Sequence, residues 1–444
     1  MRVKVTLWDK TLGYLADDRG VGIFQYAPEW LATGIEVSPL LMPLSMQQHR
    51  FPELVGTRSF AGLPGLIADA LPEKFGNRIL SAYLADHGRS FADLSALERL
   101  SYLGNRGMGA LEFQPDKGSA GQLVSGDSIE IDVLAAIAEQ VLSSRQGQTT
   151  SLEHRNLDAL VQIGTSAGGA KAKAVIGWNP QTNEVVAGQG DLPPGFEHWL
   201  LKFDAIDNEE HATAINIGRI EFAYHLMAQS AGIDMMPCRL FEAGEHAHFM
   251  TQRFDRMDNQ KFHVQSFAGL AHADRDPVGR YGYEDLFITM RRMGLGQTEI
   301  DEMYRRMAFN ILTRNQDDHT KNHAFLMDAE GTWILSPAYD LCFSYKPGNR
   351  FIEQHQMNCN GKRDDFEQKD LLQAAQVAGI ARPQEILDQV AEAASNWPAF
   401  ADQAGLPVNQ ARAIHELFRM ELVQTGAFQP LDERSTVPRK PPSP

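Results

Sequence analysis

The sequence predicts an α+β fold in two lobes, with a mixed α/β N-terminal part and a mainly helical C-terminal lobe. Three observations carry this. Val3, Val5 and Leu7 alternate as in a half-buried strand, and turn signals follow at Gly13 and Gly20. His198 to Asp204 alternates in the same way and is followed by an amphipathic helical stretch from Asn216 to Ala231. From about residue 283 onward the apolar residues recur at helical spacing instead.

In chain order, residues 1 to about 115 read as an accessory α/β part, with helical stretches around Pro64 to Leu84 and Phe91 to Leu103. Residues 130 to 255 read as strands with one prominent helix. In the strand His198 to Asp204, Leu200, Lys202 and Asp204 share one face, while Leu201 and Phe203 take the other. A lysine in mid-strand needs a partner, either a carboxylate or a phosphate; a snorkelling edge lysine is the alternative. The helix that follows puts Ile217, Ile220, Tyr224 and Met227 on one face and ends at Gly232. Glu221 lies beside that face, placed either to pair with Lys202 or to sit in solvent.

Residues 256 to 428 form the helical lobe, with helices at Asp370 to Ala378, Pro383 to Ala394 and Asn409 to Thr425. Ile300, Met303, Tyr304, Met307, Ala308 and Ile311 mark one more, with Thr298 as its N-cap. It delivers the polar loop Asn315-Gln-Asp-Asp-His-Thr-Lys-Asn322. Residues 429 to 444, rich in proline and charge, read as a disordered tail.

That polar loop carries the chemistry. His323 to Met327 and Thr332 to Leu335 are short apolar runs joined by Asp328-Ala-Glu-Gly331, the composition of a hairpin. Antiparallel pairing brings Asn322 beside Asp340, eighteen positions on. Magnesium prefers hard oxygen ligands and takes few from protein, so an amide and a carboxylate suffice to hold it. Asp317 is left to accept a hydroxyl proton. Base, second metal ligand and principal metal ligand follow one another as they do in protein kinases. Upstream, Gly164 to Lys173 is a small-residue loop, either an ordinary flexible hairpin or one whose backbone at Gly168 and Gly169 approaches phosphates, with Lys171 or Lys173 as the loop lysine open to a phosphate. The chain order of glycine-rich loop, strand lysine, helix glutamate, catalytic loop and metal aspartate is that of a protein-kinase-like fold.

Ser166-Ala-Gly-Gly-Ala-Lys-Ala-Lys173, Gln252-Arg-Phe-Asp-Arg256, Asp317-Asp-His-Thr-Lys-Asn322 and Pro337-Ala-Tyr-Asp340 resemble the HipA serine/threonine kinases, the toxins of bacterial HipBA-type toxin-antitoxin modules. Gly13-Tyr-Leu15, Phe24 to Leu31 and Ala70-Leu-Pro-Glu-Lys-Phe-Gly-Asn77 resemble the amino-terminal segment of that family. The resemblance implies Asp317 as catalytic base, Asn322 and Asp340 as Mg²⁺ ligands, Lys202 on the ATP phosphates and His319 supporting the loop. It implies Gln252 to Phe254 at the adenine and Asp255 near the ribose. It also implies autophosphorylation of Ser166, with Thr165 as its neighbouring competitor, which ejects the loop and switches the enzyme off. The implied partners are a HipB-like helix-turn-helix antitoxin and a protein substrate, with an aminoacyl-tRNA synthetase as the family precedent.

Composition sets the limits. With 41 Lys+Arg against 57 Asp+Glu, the formal charge of −16 argues against autonomous DNA binding, so operator contact would pass through the antitoxin. Cys238, Cys342 and Cys359 are too few and too scattered for a disulfide framework or a zinc site. No charged-then-apolar leader opens the chain and no long apolar run follows, so the expected location is the cytoplasm, away from membranes. His246 and His248 lack a further ligand at metal-site spacing, and His272 to Tyr283 reads as a polar loop, either a solvated connector or a substrate-recognition segment near the catalytic region. Two other functions remain open: a small-molecule kinase, and a catalytically silent corepressor of a DNA-binding antitoxin.

Overall fold

The computed structural model describes residues 1–115, 164, 169, 171–204, 216–243 and 246–423. Four sheets and a large helical body are formed by the described residues. The first sheet is antiparallel, in the order His49–Arg50, Val21–Tyr26, Lys10–Asp18, Arg2–Leu7, Leu111–Pro115. The alternation that predicts Arg2–Leu7 is its burial pattern: Val3, Val5 and Leu7 are fully buried and pack with Leu15, Phe24, Trp30 and Phe113. Gly13, paired with Val5, admits no side chain, because a Cβ there would lie 2.3 Å from the Gln25 carbonyl oxygen. The helix Ala96–Leu103 closes this core and starts at a capping box, in which Glu98 accepts from the Ser95 backbone N–H at 2.9 Å and Ser95 Oγ accepts from the Glu98 N–H at 3.2 Å.

The second sheet runs in the order Val185–Ala187, Lys173–Trp178, Glu197–Lys202, His246–Gln252, Cys238–Ala243. Every residue of Lys173–Trp178 is buried. One side of this sheet is covered from the N-terminal part: Phe75 and Ile79, on the helix Lys74–Asp86, pack with Ala174, Ile176, Trp199 and Leu201. The segment up to residue 115 thus packs against the second sheet as well as forming its own core.

The hairpin expected after the polar loop is present as Ala324–Met327 and Trp333–Leu335, and His263–Ser266 adds a third strand. Phe325 pairs with Leu335, and the Ser336 N–H donates to the Ala324 carbonyl at 3.1 Å. This register carries the chain back so that Tyr339 Oη donates to the Lys321 carbonyl at 2.6 Å, next to Asn322.

The helical body gathers Tyr283–Arg292, Gln297–Leu312, Gln368–Ala378, Pro383–Ser395, Trp397–Gln403 and Val408–His415 around one core. The helix Ile217–Ser230 joins the same core through Ile220, Tyr224 and Met227. Two boundaries differ from expectation. Gly296, not Thr298, caps Gln297–Leu312, since Glu299 folds back to accept from its N–H at 3.0 Å. The last helix stops at His415 rather than reaching Thr425, because Phe418 turns into the core and Arg419 reaches inward to the Ile311 carbonyl at 2.9 Å. The proposed tail from 429 lies outside the described residues. No helix among them is long and apolar enough to cross a membrane.

Candidate active site

The site begins with two buried lysines. Lys173 and Lys202 occupy directly paired positions on adjacent antiparallel strands, and both are almost wholly buried. Like charges placed so repel one another. The opposing charge comes from outside the sheet: Lys202 Nζ donates to both Glu221 Oε1 and Asp340 Oδ1. Glu221, 3% exposed, takes the paired position that the sequence left open. Burial alone would pull the Lys202 ammonium down, but Asp340 and Glu221 outweigh it and raise its pKa above the usual lysine range. Burial opposes ionisation of Asp340, yet Lys202, Lys173 and Lys171 hold its carboxyl well below the ordinary carboxylate range. Lys173 goes the other way, since burial pushes its pKa down and the nearby carboxylates only partly offset it.

Asp340 sits in the left-handed backbone region at φ 58°, in the bend that follows the hairpin. Across from it, Thr320–Asn322 forms a single tight turn in which the Asn322 amide nitrogen donates to the Asp317 carbonyl at 2.8 Å. That bond commits the nitrogen and leaves the Asn322 oxygen as the group available to a cation. An amide oxygen and an ionised carboxylate lining one cleft suit a small hard cation such as Mg²⁺, so the residues present fit the implied metal. Among the described residues no cluster of three or more His, Cys, Asp or Glu is arranged for a transition metal.

The loop holding Asp317 is anchored by its neighbour. Asp318, 1% exposed, accepts from Tyr283 Oη at 2.7 Å, His355 Nδ1 at 2.8 Å and the Gln356 backbone N–H at 2.8 Å. Burial would raise its pKa, but His355 and these hydrogen bonds lower it. Arg419 Nη1 lies 2.9 Å from His355 Nε2 and extends the chain of contacts to Asp364. Gln356 Nε2 in turn donates to Asp317 Oδ1, so the two aspartates share one brace. Tyr283, His355, Gln356 and Arg419 carry no local motif, and the sequence reading missed them.

Two connected recesses result. The larger one is lined by Leu200, Lys202, Phe249, Gln252, Arg253, Phe254, Asn322 and Asp340, together with Leu66, Ala70, Met108 and Leu111 from the N-terminal part. The other is lined by Asp317, His319, Gly169, Lys171, Lys173 and Asp340 beside Arg58, Lys74 and Arg275. His319 lines both, and its Nδ1 is buried with no hydrogen-bond partner among the described residues. The Gln252 and Arg253 backbone N–H groups already donate to the Pro237 and His198 carbonyls, each at 2.9 Å. Gly168, Ser166 and Thr165 lie outside the described residues.

Asp255 is a correction. It lines neither recess, is fully buried, and its oxygens accept from Arg253, Arg256 Nη1 at 2.8 Å and the Gly109 N–H at 2.7 Å. This carboxylate is turned onto its flanking arginines and faces neither recess. It instead ties the strand end to the N-terminal part.

The fold and site define a two-lobed α+β protein whose central cleft sets lysines, carboxylates and an amide against an apolar floor. The HipA-like C-terminal domain model matches residues 165–398, and the HipA N-terminal domain model matches residues 3–114. This chain belongs to the HipA family. A solved structure, the Shewanella oneidensis MR-1 toxin-antitoxin system HipA, HipB and operator DNA complex, superposes with a TM-score of 0.67 at 18% identity, covering 95% of this chain and 96% of that one. The Helicobacter pylori proinflammatory kinase CtkA aligns at a TM-score of 0.31 and 12% identity over 50% of this chain and 91% of that one, too low to bear on the fold. A Sinorhizobium fredii (strain NBRC 101917 / NGR234) protein named "Putative kinase Y4dM" is 30% identical over 135 residues, so the match spans 27% of this chain and about a third (32%) of that relative.

Proposed function

We propose that this chain is an ATP-dependent kinase that phosphorylates serine or threonine on another protein, acting as the toxin of a HipBA-type pair. The observation that carries the reading is Lys202 bound at once to Glu221 and Asp340, in a cleft that Asn322 also lines. A protein kinase needs this strand lysine, helix glutamate and metal aspartate together.

In this reading Lys202 and Glu221 orient the phosphates of the nucleotide on the second sheet, and Asn322 with Asp340 would hold Mg²⁺. When bound, the metal neutralises and orients phosphate charge. Asp317 takes the acceptor hydroxyl proton. Its carboxylate is steadied by Gln356 and its carbonyl by Asn322, so the base is presented without a search among rotamers. His319 supports the loop from between the two recesses. Ser166 is the proposed autophosphorylation site, where a phosphate of nearly two negative charges would repel the nucleotide. A HipB-like helix-turn-helix antitoxin is the proposed partner, supported by the HipA–HipB–DNA assembly solved for the Shewanella protein. The acceptor is proposed to be a translation protein of the aminoacyl-tRNA synthetase class.

Incubation with γ-labelled ATP, Mg²⁺ and a cell extract tests this. The expected result is a labelled serine or threonine on an extract protein with wild type and none with Asp317→Ala. Label on small molecules alone would overturn the protein-kinase reading, and no turnover by wild type would favour the silent corepressor.

A further inference from the structure

Glu73 stands in the N-terminal part, yet its carboxylate touches both sides of the cleft. Oε2 accepts from the Gly169 backbone N–H at 2.9 Å, and Oε1 meets Lys321 Nζ at 2.9 Å. Arg275 Nη1 stands 3.6 Å from Oε2. Gly169 belongs to the glycine-rich loop, and Lys321 lies between Asp317 and Asn322 in the catalytic loop. Two residues on, the Phe75 N–H donates to the Gly169 carbonyl at 3.3 Å, so both backbone groups of that glycine are held from one short segment. At φ +102° the position favours glycine, and a Cβ there would lie 2.6 Å from Lys173 Nζ.

Glu73 is also the N-cap of Lys74–Asp86, but its side chain makes no capping bond to that helix. An N-cap side chain ordinarily satisfies its own helix's open N–H groups. Here it is directed outward, from a helix that Phe75 and Ile79 fix against the second sheet. Burial disfavours the charged carboxylate, but Lys321, Arg275 and His319 hold its pKa well below the usual range.

We propose that Glu73 is a positioning residue that fastens the glycine-rich loop to the catalytic loop, so that the N-terminal part of the chain sets nucleotide affinity. The proposal rests on the kinase reading above. Without Glu73, Gly169 loses its acceptor and Lys321 its counter-ion. The Gly169 backbone is then no longer held at the cleft.

The test uses the full chain as wild type, Glu73→Gln, Glu73→Ala and Lys321→Met. It measures MgATP affinity, KM and kcat, thermal midpoint, and hydrogen exchange at Gly169, with the Arg2–Leu7 strand as control. Expected are a weakening of MgATP binding on the order of tenfold in the Glu73 variants, the scale of one charge-assisted hydrogen bond, a rise in KM larger than the fall in kcat, and faster exchange at Gly169 with the control strand unchanged. Lys321→Met probes the same bracket from its other end, should the Glu73 variants fail to fold. Wild-type affinity with unchanged exchange at Gly169 would overturn the proposal and leave the kinase reading standing. Failure of wild type to bind MgATP would overturn both.

Discussion

Asp317 and Asp318 are chain neighbours with opposite structural roles, and replacing each by alanine separates them. Asp318 is buried and accepts from Tyr283, His355 and the Gln356 backbone. Each hydrogen bond to a charged group contributes about 1.5–3 kcal/mol without strict additivity, and removing the shared acceptor leaves the buried Tyr283 and His355 donors unmet. Asp318→Ala is therefore expected to remove about 4 kcal/mol, a large share of the roughly 5–15 kcal/mol that holds a folded protein together. Asp317 is only half-buried and is braced through its side chain by Gln356, so Asp317→Ala is expected to lose less than about 1.5 kcal/mol while abolishing phosphoryl transfer. The Asp318 carboxyl has a pKa lowered below its unfolded value of about 3.9. Its contribution is thus fully present above that pH and is lost as the pH falls through the folded value. Urea unfolding followed by tryptophan fluorescence at neutral pH measures both variants. The reasoning fails if Asp318→Ala stays within about 1 kcal/mol of wild type, or if Asp317→Ala is equally destabilised.

Lys202→Met leaves Glu221 buried without its cation, so a loss of about 3 kcal/mol is expected, largely recovered when Glu221→Gln is added; a double-mutant cycle showing no coupling would refute the pairing. Gly13→Ala is expected to cost about 1–3 kcal/mol, because its Cβ would strike the Gln25 carbonyl oxygen and the Phe24 ring; an unchanged denaturation midpoint would refute the register. His225, His263 and His323 are pushed down to about 4 by burial. Since the unfolded value is about 6.5, the stability from keeping each neutral is complete above that pH and declines toward pH 4, by up to about 1.4 kcal/mol per pH unit for each histidine. Urea midpoints that stay flat from pH 7 to pH 5 would contradict this.

Features set by local pattern were legible in the sequence. The two-residue period of Glu197–Lys202, the helical spacing around Glu221 and the turn residues of the hairpin each place a side chain by geometry that neighbours in the chain determine. Glu73 stands within a sequence motif, yet its role is not legible there, because its contacts are to Gly169 and Lys321, far along the chain. Asp255 was assigned to the ribose because a motif records a residue type and not what already pairs with it. The flanking Arg253 and Arg256 were the signal that its charge is met locally. Gly296 was passed over as a cap although Glu299 stands three residues later, the spacing of a capping box. Likewise, Leu66, Ala70, Met108 and Leu111 reach the cleft only through the packing of the N-terminal part on the second sheet, which no window of sequence displays.

Calorimetric titration of the purified chain with ATP, with and without Mg²⁺, probes the cleft most directly. Wild type is expected to bind ATP more tightly with Mg²⁺ than without it, and Asp340→Asn and Asn322→Ala each to lose most of that difference. Equal affinity with and without Mg²⁺ in wild type, or a metal dependence untouched by both substitutions, would contradict the account.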